Sequence, residues 1–106
     1  MKKKFKKFVY ESAQGMATMH PDTFEVSTIG KLMRVIEPGV YAKVCITSGD
    51  IGGERIWTEV TKVDGNDIEA TLANDPFALD AKHGDPMKFQ MQHVYNVTAK
   101  DGEELA

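Results

Sequence analysis

Three carboxylates, Asp75, Asp80 and Asp85, recur every five residues around His83 in the stretch EATLANDPFALDAKHGDP, residues 69 to 86. Carboxylates and an imidazole at such short range could hold a cation or move a proton. A calcium loop, however, draws its oxygen ligands from alternating positions, and a five-residue step does not supply them. Asp75 and Asp85 each precede a proline, where a short polar side chain accepts local backbone hydrogen bonds and starts a turn, and Asp80 can do the same after PFAL. Asn74-Asp75-Pro76 has the chemistry of a corner. Asn74 can bond the turn backbone, Pro76 pushes Asp75 out of the helical region, and Pro76 has no N–H to offer a ladder.

The remaining chemistry-bearing residues are scattered. His20, His83 and His93 stand at no metal-ligand spacing with one another or with Cys45, so turn, cap and surface roles account for them. Cys45 is the single cysteine and lies inside the apolar run VYAKVCIT, which suits a packed thiol in a reducing compartment. Ser12, Ser27 and Ser48 have no evident histidine and aspartate partners. SGDIGGE is glycine-rich, but no helix follows it to present amides to a phosphate. These residues predict no catalytic site, no cofactor and no metal, and therefore a protein that is not an enzyme.

The elements that must position these residues follow from periodicity. At 106 residues, 42% hydrophobic and 27% charged, the chain has the size and composition of one globular domain. ESAQGMATMH reads as a short helix, weakened by Gly15 and ended at His20-Pro21, with FKKFVYE before it as a short strand. Ser27 is the expected N-cap of a second helix whose apolar stripe is Ile29, Leu32, Met33 and Ile36, stopped by Pro38-Gly39. VYAKVCIT alternates with Val40, Ala42, Val44 and Ile46 on one face and Tyr41, Lys43, Cys45 and Thr47 on the other. RIWTEVTKV is a second strand, in which Trp57 and Val60 are out of phase, the mark of a bulge or of burial on both faces. DGND is a tight hairpin turn with Asp64-Gly65 at its positive-φ positions, and IEATLA and PMKFQMQ are the third and fourth strands. EPGVYAKV and HGDPMKF share a device, a glycine turn that launches an alternating strand. The fold class expected is α+β: a small SH3-like or partly open antiparallel β-barrel of four to five strands with an N-terminal helical addition.

Charge is uneven. Lys2, Lys3, Lys4, Lys6 and Lys7 make a basic arm over residues 1 to 7, whereas residues 8 to 106 carry eight basic against sixteen acidic side chains, a balance of −8. The arm could touch phosphates, but the acidic body opposes a duplex-binding face. The basic opening lacks the apolar core of an export signal, and no stretch reaches the length of a membrane span, so a cytoplasmic protein with no membrane partner is expected.

HPDTFEV, ERIWTEVTKVDGNDIEATLANDPF and KHGDPMKFQMQHVY together resemble the uncharacterised YegJ-like bacterial domains, whose pattern is a tryptophan strand, an acidic-glycine hairpin, a leucine strand ending in Asn-Asp-Pro, and a Gly-Asp turn before the last strand. The resemblance covers about residues 20 to 96, within a core of residues 20 to 98, and Gly39-Val40 departs from the glycine-aspartate pair of that pattern. It implies a domain with no assigned enzymatic activity, similar to immunity-type or accessory proteins of bacteria and their mobile elements. The expected function is protein binding by a small inhibitor or accessory module, with a nucleic-acid-binding barrel that uses the lysine arm as the alternative. The main duty expected of the corner is structural, with Trp57 packed beneath it; the candidate contact surface is a rim formed by Asn74, Asp75, Pro76, Phe77, His83 and Asp85.

Overall fold

The computed structural model describes residues 5, 7–47, 53–76 and 81–106. Its chain order is α1 (Ala13–Met19), α2 (Ile29–Val35), β1 (Tyr41–Ile46), β2 (Glu54–Asp64), β3 (Asp67–Leu72), β4 (Pro86–Gln90), a 3-10 turn (Met91–His93) and β5 (Asn96–Thr98). The strands form one open antiparallel sheet in the order β4-β3-β2-β1-β5. This is the expected α+β class, with two helices preceding a curled five-stranded sheet. No described helix is long and apolar enough to cross a membrane.

Local chemistry explains the helix boundaries. The Ser12 hydroxyl accepts from the Gly15 N–H at 3.0 Å and caps α1, and His20 closes its other end. A Cβ on Gly15 would lie 3.1 Å from that hydroxyl, so the residue that lowers helix propensity also makes room for the cap. The cap of α2 is Thr28 rather than Ser27, with the Thr28 hydroxyl accepting from the Lys31 N–H at 3.2 Å. Ser27 is held instead through its carbonyl, which accepts from Gln14 Nε2 at 2.6 Å. The apolar stripe also differs from expectation. Leu32 and Ile36 are buried with Ile29 and Val35 packed beside them, while Met33 is 49% exposed. The short helix turns toward Val35, which leaves Met33 about 100° around the axis from Leu32.

Both glycine-launched strands form as expected. The Val40 N–H donates to the Glu37 carbonyl at 3.2 Å with Gly39 at φ +100°, and the Asp85 N–H donates to the Lys82 carbonyl at 3.0 Å with Gly84 at φ +92°. A positive φ at the third residue is the signature of a type II turn, which favours glycine there. The β2–β3 hairpin needs less than expected: Gly65 takes φ +59°, Asp64 belongs to β2, and no described non-glycine residue has a positive φ. Ile56, Thr58 and Val60 alternate onto the core face and Trp57 onto the outer one, and β2 shifts register only beyond them, between Val60 and Lys62.

The inner face carries the main core, with Ala42, Val44 and Ile46 of β1 buried against their counterparts on β2, β3, β4 and β5 and against Leu32 and Ile36. Among the described residues of FKKFVYE no full strand forms. Tyr10 alone bridges Ile46, flanked by the Glu11 N–H on the Cys45 carbonyl and the Thr47 N–H on the Val9 carbonyl, both at 2.9 Å. This segment continues the edge of β1 where the three-residue β5 stops, and the Tyr10 ring reaches Phe89 of β4 at 5.5 Å. Curling therefore brings the two ends of the sheet together through side chains.

Candidate functional site

The Asn74 corner is built by its side chain. Asn74 Oδ1 accepts from the Trp57 N–H at 2.6 Å, next to the bond from the Ala73 N–H to the Trp57 carbonyl at 2.9 Å. The amide oxygen takes the place of a main-chain carbonyl and carries the β2–β3 pairing past Leu72. Asn74 Nδ2 donates to the Asp75 carbonyl at 3.2 Å. Asp75 is exposed and Pro76 half-buried, and Phe77 and Asp80 lie outside the described residues.

The second turn is tied to the same end of the sheet. The Leu72 N–H donates to the Asp85 carbonyl at 2.9 Å, and the Gly84 N–H returns a bond to the Leu72 carbonyl at 2.7 Å. Asp85 Oδ2 accepts from the Lys82 N–H at 2.9 Å, and His83 is exposed at the turn. Asn74 and the turn from Lys82 to Asp85 thus meet at the Leu72 end of β3. Their polar atoms are largely engaged in shaping it. Of the basic arm, Lys7 is exposed, and Lys2, Lys3, Lys4 and Lys6 lie outside the described residues. Among the described residues, no three His, Cys, Asp or Glu side chains are grouped to hold a metal ion.

The Trp57 backbone meets Asn74, and its side chain lies on the outer face of β2, half-buried. Lys43, its cross-strand partner, places its ammonium 5.0 Å from the ring centroid. Trp57 lines a groove of about 330 Å³ together with Tyr41, Ala73 and Asn74 and with Thr98, Ala99, Lys100 and Gly102 of a second wall. The second wall is a turn held by the Gly102 N–H on the Ala99 carbonyl at 2.9 Å and by Asp101 Oδ1 accepting from the Glu103 N–H at 2.9 Å. Lys100 reaches back to Glu59, Nζ to Oε2 3.8 Å. Sequence reasoning left Tyr41, Lys43 and Lys100 out of the candidate site. The available signal was the polar-face alternation of β1 combined with the phase slip at Trp57.

The other half of the same outer face is closed. Cys45 and Tyr95 are buried with Ala13, and Met16, Phe24 and Val26 pack against them. The Tyr95 hydroxyl donates to Glu11, and burial together with that carboxylate pushes its pKa above the usual phenol range. Arg55 lays its guanidinium over Tyr95 at 5.1 Å and over Phe24 at 5.5 Å. Burial and Glu11 push the Cys45 thiol upward against the pull of Arg55, which keeps it protonated and a poor nucleophile. His93 Nδ1 accepts from the Gln90 N–H at 3.0 Å, and burial lowers its pKa. A larger cleft of about 550 Å³ lies between residues 25–28 and the Glu104–Ala106 end; the aromatic ring in it is Tyr95, already engaged with Glu11.

No family model, curated protein or solved structure matches this chain.

Proposed function

We propose that this chain is a small cytoplasmic protein-binding module of the inhibitor or accessory type, and that its contact surface is the open half of the outer sheet face. One observation carries this reading: a half-buried Trp57 shares a groove with Tyr41 and Asn74, and no described element covers it. Tryptophan and tyrosine are the residues on which binding energy concentrates, because a large rigid ring gains contact area while losing little side-chain freedom. The corner next to the groove supports the reading, since Asn74 fixes the Trp57 backbone before any partner arrives.

An SH3-like barrel is part of the proposal. The order β4-β3-β2-β1-β5 and the 3-10 turn between β4 and β5 support it. So is kinship with the YegJ-like domains over residues 20 to 96, for which the Asn74 corner is the most specific support. The expected rim of His83 and Asp85 serves here as the scaffold at one end of the sheet, with Asn74 as its point of contact with the groove.

The test compares capture of a host protein by the wild-type chain and by Trp57→Ala, with thermal melts of both. Loss of capture with little change in the melt is the expected result. Equal capture by both proteins would contradict the assignment of the surface.

A further inference from the structure

We infer that His93 is a proton-operated catch for the segment of residues 8–10: when its imidazole takes up a second proton, this segment lifts off the sheet while the rest of the fold stays closed. The inference is independent of the Trp57 groove.

The catch works through an acceptor. His93 Nδ1 accepts from the Gln90 N–H at 3.0 Å, at the junction where β4 passes into the 3-10 turn. A neutral imidazole can accept there, but a protonated one carries N–H on both nitrogens. Protonation therefore sets two donors against each other and requires the ring to turn away. Tyr10 lies on that ring, with centroids 5.5 Å apart and planes 31° from parallel, and on Phe89 at 5.5 Å. The stack itself tolerates a cation, so the conflict lies in the Gln90 bond and in the partial burial that holds the His93 pKa below its ordinary value of 6.5.

Of the elements around His93, the segment of residues 8–10 opens at the least cost. The 3-10 turn cannot unwind without exposing Met91, and Val94 beyond it, both fully buried. Phe8 and Tyr10 are half-buried and Val9 is 64% exposed, on a segment that makes one bridge, Tyr10 to Ile46, rather than a strand. Tyr10 Oη is buried and, among the described residues, has no hydrogen-bond partner. Lifting the segment gives that hydroxyl to water, which offsets part of the lost contact. Glu11 stays behind, held by the Tyr95 hydroxyl and by its own N–H on the Cys45 carbonyl, and marks the hinge. The other ionisable groups of the neighbouring elements leave the switch to His93. Asp67 takes Gln90 Nε2 at 3.2 Å, Lys88 of β4 lies over the Phe5 ring at 5.9 Å, and Lys7 and, on α2, Lys31 and Arg34 are exposed. Helix α1 has no ionisable side chain, and the Tyr10 phenol, pushed far above its usual range by burial, stays neutral.

Amide hydrogen exchange tests this, read as protection factors so that the intrinsic pH dependence of exchange cancels. The reporter is the Thr47 N–H, which donates to the Val9 carbonyl at 2.9 Å. Between about pH 7.5 and about pH 5 its protection should fall by roughly tenfold to thirtyfold, the gain in opening expected when a histidine held low in the closed state regains its ordinary value in the open one. The Glu11 amide at the hinge and the Tyr95 amide, on the Lys43 carbonyl at 2.8 Å, should stay protected. His93→Gln has no imidazole to protonate and should abolish the fall. Tyr10→Phe leaves no hydroxyl unpaired and should raise Thr47 protection at both pH values. His20 and His83 are exposed, and replacing both with glutamine should leave the fall in place. The inference is overturned if Thr47 protection does not change with pH, if it falls together with that of Glu11 and Tyr95, or if the fall survives in His93→Gln. Should His93→Gln not fold, the variant lacking His20 and His83 decides by NMR: the Thr47 change must share its midpoint with the titration of His93, and a separate midpoint overturns the inference.

Discussion

The outer face of a single sheet has two fates within two residues. Arg55 and Trp57 point the same way from β2, as do Cys45, Lys43 and Tyr41 from β1. At the Arg55 and Cys45 end, α1 and the Phe24 segment fold across, Tyr95 donates to Glu11, and Tyr95 and Cys45 are each only 6% exposed. At the Trp57 and Tyr41 end, the rings remain half-buried beside a groove. Strand alternation is identical in both, so what differs is the cover. An aromatic ring beneath a helix is spent on folding, and one left uncovered is available to a partner.

The two halves should therefore respond oppositely to truncation, and the largest effect belongs to the closed one. Tyr95→Ala removes a buried ring, its bond to Glu11 and the platform under Arg55, and should cost about 3 kcal/mol or more of stability in chemical denaturation. A loss below about 1 kcal/mol, the scale of a surface change, would mean that the closed half is not a core.

At the boundary between the halves, Asn74→Ala leaves the Trp57 N–H without its acceptor and should cost about 1 to 2 kcal/mol. The same variant should release the Trp57 amide to faster hydrogen exchange. Unchanged protection there would show that the corner does not anchor the groove.

Trp57→Ala should cost about 1 kcal/mol, chiefly through the lost contact with Lys43. A destabilisation as large as that of Tyr95→Ala would erase the contrast between the halves.

The smallest effect is on pH. Burial holds the folded His93 below its ordinary value of 6.5, so the unfolded chain takes up a proton first as pH falls. Stability should be level above pH 6.5 and decline as pH drops through it, and His93→Gln should flatten that decline. His93 contacts Tyr10 rather than the groove, so Trp57 emission of the folded protein should stay constant across the same range.

Much of this frame was legible because it is local. The Asn74-Asp75-Pro76 corner, the turns at Gly39 and Gly84 and the inward set Val40, Ala42, Val44 and Ile46 depend on neighbours a few residues away. Even locally, adjacent hydroxyls can compete, and Thr28 rather than Ser27 took the cap. Met33 fell outside the buried sector because a two-turn helix can rotate to suit its partners, and the four-residue stripe does not fix that rotation. β5 has three residues, too few to alternate visibly, and it is held by pairing with β1 and by the Thr98 to Glu104 bridge. The groove was the least legible part. It needs the outward alternation that exposes Tyr41 and Trp57 on neighbouring strands, and a wall supplied by Thr98, Ala99, Lys100 and Gly102, some forty residues farther along the chain.

The most direct measurement is a paired one on Trp57→Ala: its melting temperature and its affinity for a protein captured by the wild-type chain. A melt within a few degrees of wild type, together with at least a thirtyfold loss of affinity, about 2 kcal/mol, is the expected result. Affinity that is unchanged, or that falls only in step with the folded fraction, would contradict a binding surface centred on Trp57.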